Sequence, residues 1–275
     1  GIIGIRNEYE FRNRAVSGHQ TKDMLEIIKR EDEDVKMTRT LLKRADIIHI
    51  SILGNDLLLA DLGQIILSVV NEEPDLLDGI IEKSAENFAE IVSILKGYNP
   101  DATIFFQNVY NPVFLDCDLI NAEVRAELLS RDIPESDFRS YGAIILNRLN
   151  SIISDYLTEN PGAYYIIDAN SEFERIYQED SARGEELVFV DCIHPSNEGH
   201  AVIADLIQSK LEELKLAKKK TAVKNYKELR IEQLDRLYSG TVDVSKITKL
   251  IIKAESCSEI TEIYFDAVQG KLPVY

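Results

Sequence analysis

Ala45-Asp46-Ile47-Ile48-His49-Ile50-Ser51-Ile52-Leu53-Gly54-Asn55-Asp56 is the stretch on which the fold turns. Residues 45–53 are almost continuously apolar, as suits a parallel strand covered by helices on both faces. Gly54-Asn55-Asp56 ends the strand. Ligands of open α/β sheets sit beyond the carboxyl ends of strands, so Asn55 is in a position to offer a side-chain amide to a developing oxyanion. His49 alternates with Ile48 and Ile50 and reads as a core or interface histidine, not a catalytic one.

Working outward, residues 35–44 read as a helix that delivers the chain to this strand. Residues 57–70 and 74–97 carry apolar side chains at helical spacing. Residues 102–107 read as a second strand, and 163–168 as a last parallel one. Between them, residues 121–130 and 138–160 read as helices. Strands alternating with covering helices predict a doubly wound α/β domain with right-handed crossovers. The loop at 108–118 holds Tyr110, Asn111, Pro112 and Phe114, an aromatic-rich segment that either lines a pocket or simply packs, with packing preferred.

Upstream, residues 9–13 alternate like a half-buried strand, and 13–21 turn into a helix running through Ile28. Gly18 marks that turn. A glycine there lets backbone approach a ligand closely, and an amide at the mouth of a helix points where negative charge is welcome. Taken alone, the same residues also suit a plain strand-to-helix turn.

Downstream, Val190-Asp191-Cys192-Ile193-His194-Pro195 places a carboxylate three residues before an imidazole. Such a carboxylate can hold the ring in the orientation a general base needs. Pro195 biases His194 away from helical angles, so it should lie on a loop just before a helix that Ser196 or Asn197 caps and that runs to about Leu216. By itself the motif is also an ordinary loop.

Composition narrows the partners. The 275 residues suffice for a sizeable core, and 31 Lys and Arg against 48 Asp and Glu give a formal charge of −17. That charge repels nucleic-acid phosphates and anionic surfaces, so no nucleic-acid partner is expected. Cys117, Cys192 and Cys257 form neither a disulfide framework nor a CxxC metal site. No apolar run approaches the roughly 18 residues of a membrane span. The compartment stays open between cytoplasmic and exported, because a signal or anchor would precede residue 1.

Three pieces in order, 13–21 with Ser17-Gly18, 50–56 with Gly54-Asn55-Asp56, and Asp191-Cys192-Ile193-His194-Pro195, together resemble the SGNH or GDSL-like esterase and acylhydrolase family. The resemblance runs from about residue 13 to 216. It implies a flavodoxin-like three-layer sandwich, with a parallel central sheet flanked by helices, and a serine esterase needing no metal or cofactor. It also implies oxyanion donors at Gly18 and Asn55 and the acid and base of a triad at Asp191 and His194. The family's nucleophile is a serine in a Gly-Asp-Ser turn, and nothing in residues 1–13 matches that turn. Ser17 adjoins the glycine, and Ser51 lies inside a strand, so neither suits the role. The nucleophile is therefore unassigned and expected upstream of residue 1.

The implied substrate is a small-molecule ester, an acylated carbohydrate or a lipid. The alternative is an inactive module of the same fold that binds an acylated sugar or lipid. A nucleotide-binding domain lacks support, since no glycine-rich phosphate loop follows any strand. Residues 1–216 are expected to form the hydrolase-like domain and 217–275 a helical C-terminal extension. Lys218-Lys219-Lys220, Lys224, Lys227 and Arg230 read as a solvated helix face. The extension could pack on the domain, form a homodimer contact or cover the site, and the sequence does not choose.

Overall fold

The structure, a computed structural model, describes residues 1–60, 62–73, 75–113, 119–239 and 242–272. Helices α1 (Ile2–Asn7), α2 (Thr21–Lys29) and α3 (Glu33–Arg44) precede strand β1 (Ile47–Ser51). Helices α4 (Gly54–Leu58), α5 (Leu62–Val70) and α6 (Asp75–Tyr98) lead to β2 (Thr103–Gln107). Next come α7 (Ala122–Ser130), a 3-10 turn (Glu135–Asp137) and α8 (Phe138–Glu159), which delivers β3 (Tyr165–Ile167). The chain ends in α9 (Ala169–Glu179), α10 (Ser181–Glu186), α11 (Asn197–Glu213), α12 (Lys219–Leu237), α13 (Ser245–Lys253) and α14 (Cys257–Val268). Two compact units result, one of Arg14–His194 and one combining Gly1–Asn13 with Pro195–Tyr275.

In the first unit the three strands are parallel, in the order β1-β2-β3. Their register pairs Ser51 with Gln107 and Gln107 with Ile167, so all three strands end in step. Loops leaving them therefore share one rim. Alternation along the strands turns Ile48, Ile50, Ile104 and Phe106 toward one face, where they share a core with Leu25 and Ile28 of α2, Phe88 and Ile91 of α6, and Leu149 and Ile153 of α8. Phe88 and Phe106 meet at 4.7 Å. Full burial of such side chains stabilises the fold by about 1.5–3 kcal/mol each. Phe105 and Ile167, which alternate with these positions, are buried as well.

Several expectations are corrected. His49 is not in the core: it lies on the exposed side of β1, because Ile48 and Ile50 take the core face, so of its two readings only the core one is overturned. Residues 9–13 form no strand. Their alternation serves other contacts: a Cβ on Gly4 of α1 would stand 3.1 Å from that of Phe11, and the Tyr9 hydroxyl donates to the Leu216 carbonyl. The expected helix at 57–70 is divided into α4 and α5. The polar stretch after residue 168 is helical, started by the Asp168 and Asp180 side chains, which accept from the backbone N–H groups of Ser171 and Arg183. Tyr110 is packed, as preferred, whereas Phe114 and Cys117 lie outside the described residues.

The second unit is helical. Tyr226, Leu234, Ile247, Ile251 and Ile260 from α12, α13 and α14 form its core, with Ile2 of α1 against them. Arg6 of α1 is fully buried, with its guanidinium 3.7 Å from the Tyr226 ring centroid and 2.7 Å from the Asp205 carboxylate of α11. Lys218, Lys219, Lys220 and Lys224 are exposed, as expected of a solvated face. Arg230 is not: it is buried and donates to the Tyr226 hydroxyl through Nε and NH2.

Candidate active site

The loop after β1 is shaped by Leu53, a buried residue with φ +85° and ψ −36°. A β-carbon there is strained, and such strain persists only where the surroundings enforce it. Here Leu53 sits in the core and turns the chain so that α4 begins at Gly54. Asn55 then follows the strand end by four positions. Its Nδ2 donates to the His19 carbonyl at 3.0 Å, and its own carbonyl accepts from Gln20 Nε2 at 3.2 Å. A carboxamide carries two N–H bonds, so one remains after the bond to His19.

Those bonds tie Asn55 to the loop holding Gly18, whose φ is +81°. A Cβ at Gly18 would meet nothing within 4 Å, so glycine is required there by backbone geometry alone. The loop is anchored by Asp56. Its buried carboxylate accepts from the Thr21 backbone N–H at 3.1 Å, from the Thr21 hydroxyl at 2.7 Å and from the Ser84 hydroxyl at 3.2 Å. Burial pushes the Asp56 carboxyl above its ordinary value, against these donors. Sequence reading placed Asp56 in the motif without this role. The signal was a carboxylate beside the oxyanion candidate, opposite a helix that begins at Thr21.

Asp191 and His194 meet on one turn. Asp191 Oδ1 accepts from the backbone N–H groups of Ile193 and His194, each at 3.0 Å, and Oδ2 lies 2.7 Å from His194 Nδ1. Cys192 between them takes a left-handed φ of +57°, which bends the chain back on itself. The backbone and side-chain hydrogen bonds from His194, joined by the Ile193 N–H, hold the Asp191 carboxyl down at about 2. An ionised carboxylate only accepts, so Nδ1 must carry the proton and Nε2 is left as the basic nitrogen. Among the described residues Nε2 has no hydrogen-bond partner. The side chains are 63% and 40% exposed for His194 and Asp191, so their pairing orients the ring more than it stabilises the fold.

The loop after β2 links these two groups. A Cβ on Gly54, beside Asn55, would stand 3.8 Å from Val109. The next residue, Tyr110, sends its hydroxyl to the Ile193 carbonyl at 2.5 Å, beside His194. Burial and the Asp191 charge raise the Tyr110 phenol, which therefore stays a protonated donor. Hydrogen bonds thus join Asn55 to His19 and Tyr110 to Ile193, and Val109 of the loop after β2 passes beside Gly54. Asn150 of α8 clamps Val109 by accepting from its N–H and donating to its carbonyl, both at 2.8 Å. Asn108 donates to Asp168 at 2.7 Å, and Tyr110 stacks on Phe173 at 4.5 Å. Of these supports only Tyr110 drew notice in the sequence, through its aromatic-rich loop. Asn150 lies on the long helix with nothing local to mark it.

Among the described residues no cluster of three or more His, Cys, Asp or Glu could hold a metal, and no helix is long and apolar enough to cross a membrane. The sequence model of the GDSL-like lipase/acylhydrolase family matches residues 3–207. Among solved structures, the lipase Lip_vut3 from a goat rumen metagenome is similar at 14% identity, covering 76% of this chain and 86% of that one, with a TM-score of 0.48. No curated protein matches.

Proposed function

Since the chain belongs to the GDSL-like lipase/acylhydrolase family, we propose that it cleaves carboxylic esters through an acyl-enzyme, with His194 as general base and Asp191 as its orienting acid. His194 Nε2 takes the proton of a nucleophilic serine as the serine oxygen attacks the ester carbonyl. The Gly18 backbone N–H and the remaining N–H of Asn55 stabilise the tetrahedral oxyanion. The same imidazole then gives its proton to the departing alcohol, and the acyl-enzyme is released by water activated in the same way. The serine itself is proposed to precede residue 1. The observation that supports the reading is the 2.7 Å contact of Asp191 Oδ2 with His194 Nδ1, which makes Nε2 the basic nitrogen of the neutral ring.

The test is hydrolysis of p-nitrophenyl acetate by the full natural protein and two variants. A burst of nitrophenol is expected, then slower turnover. Asn55→Ala should lower kcat by about 10²–10³-fold while the protein stays folded. His194→Ala should abolish the burst. Near-normal kcat in Asn55→Ala would refute the oxyanion assignment, and the absence of ester hydrolysis in the natural protein would favour an inactive binding module.

A further inference from the structure

The two proposed oxyanion donors lie on separate segments of the chain. Among the described residues the Gly18 N–H has no hydrogen-bond partner, and the turn that carries it is closed by the His19 N–H donating to the Val16 carbonyl at 3.4 Å. Asn55 has one N–H left after its bond to His19. An oxyanion takes both donors only when each stands about 2.7–3.1 Å away, so one segment must be fixed against the other.

Three rungs join them. Asn55 Nδ2 donates to the His19 carbonyl, Gln20 Nε2 donates to the Asn55 carbonyl, and the Thr21 N–H donates to the Asp56 carboxylate. The first two are only part-buried, whereas the third is buried, where a hydrogen bond is electrostatically stronger than in water. Thr21 opens α2, and its N–H is one of those that a helix start leaves without an intrahelical acceptor. Asp56 supplies the acceptor from α4.

That rung is backed by α6. Asn87 Nδ2 donates to Thr21 Oγ1 at 3.1 Å, Thr21 Oγ1 donates to Asp56 Oδ1 at 2.7 Å, and Ser84 Oγ donates to the same oxygen at 3.2 Å. Ser84 and Asn87 are three apart, on one face of α6. All four side chains are buried, at 8% exposure or less. Because Asn87 occupies a lone pair of the Thr21 hydroxyl and an ionised carboxylate only accepts, the bonds run one way, from amide to hydroxyl to carboxylate. Apolar contact already joins α2 to α6 through the core that holds Leu25, Ile28, Phe88 and Ile91. What the buried polar groups add is direction, since hydrogen bonds weaken steeply off their preferred angle.

We propose that the Asp56–Thr21 pair, backed by Ser84 and Asn87, positions the two oxyanion donors relative to one another, acting through Gly18 and Asn55 without touching substrate. The assignment rests on the ester-hydrolase reading. Displaced donors leave ester binding unchanged and weaken only the tetrahedral species, so the cost falls on kcat and not on KM.

The test uses the full natural protein with p-nitrophenyl acetate and with a trifluoromethyl ketone, whose carbonyl carbon bonds to the serine oxygen and whose own oxygen becomes the oxyanion. Thr21→Val keeps the side-chain shape and removes the hydroxyl. It should lower kcat by about 10–10²-fold with KM nearly unchanged, and weaken ketone binding by the same factor. Thr21→Ser, which returns the hydroxyl, should recover most of both. Should Thr21→Val not fold, as judged by circular dichroism, Asp56→Asn decides by the same two readouts. Unchanged kcat in the folded variant, or a fall in kcat with ketone affinity untouched, overturns the proposal and leaves the four residues as ordinary packing. A natural protein that neither hydrolyses the ester nor binds the ketone sinks the hydrolase reading itself, an outcome distinct from an active natural protein whose Thr21→Val variant is equally active.

Discussion

Asp191 is a small carboxylate with three hydrogen bonds, and its chemistry follows from them. Two backbone N–H groups and the imidazole hold its ionised form, so its value falls from the ordinary 3.8 to about 2. The contribution to stability is complete above the ordinary value and disappears as pH falls through about 2. Carbon-13 titration of the Asp191 side chain should give a midpoint near 2, moving up toward the ordinary value in His194→Ala. A midpoint unchanged by that substitution would mean that the imidazole bond is not formed. Asp191→Asn should keep the backbone bonds yet favour the wrong tautomer of His194, and so reduce ester turnover by several orders of magnitude, as expected of an orienting acid. Both residues could be named from Asp-x-x-His-Pro. The three-bond geometry could not, because it depends on Cys192 taking a left-handed angle that residue type does not favour.

Among elements, the loop after β2 matters most, and it was the least legible. Strands β1, β2 and β3 were readable within two residues at either end, since apolar runs bounded by Gly54 or Asn99-Pro100 leave few alternatives. Alternation misled at residues 9–13, where the period is that of a strand but the partner is α1 and not a sheet. Helix α9 was overlooked although Phe173, Ile176 and Tyr177 recur at helical spacing, because polar residues outnumber them. The link from Tyr110 to Ile193 spans 83 positions and has no local signature. Asn150→Leu offers the sharpest test of this loop. It leaves the Val109 N–H and carbonyl without their partner, so stability should fall by about 1–3 kcal/mol, measured by urea denaturation. Turnover should fall with it as Tyr110 shifts. Unchanged stability and turnover would show that the clamp does not hold the loop.

At the scale of the whole molecule, the helical unit depends on a buried charge. Arg6 has no exposed surface, and burial pushes the Asp205 carboxyl upward against the pull of Arg6. Removing one partner strands the other, so Arg6→Ala should cost about 3–5 kcal/mol in chemical denaturation. Arg6→Met with Asp205→Leu should recover most of it, and a double variant no better than the single one would contradict this account. The sequence suggested a helical extension after residue 216, but nothing in it could show that α1, from the other end of the chain, contributes Arg6 and Ile2 to the same packing. The central claim nevertheless rests on the rim of the sheet, where His194 is proposed to take a serine proton through Nε2. Labelling of the full natural protein with a fluorophosphonate, mapped by peptide mass spectrometry, tests it most directly. The account predicts one serine modified rapidly in the natural protein and far more slowly in His194→Ala, whereas equal labelling rates in the two would contradict it.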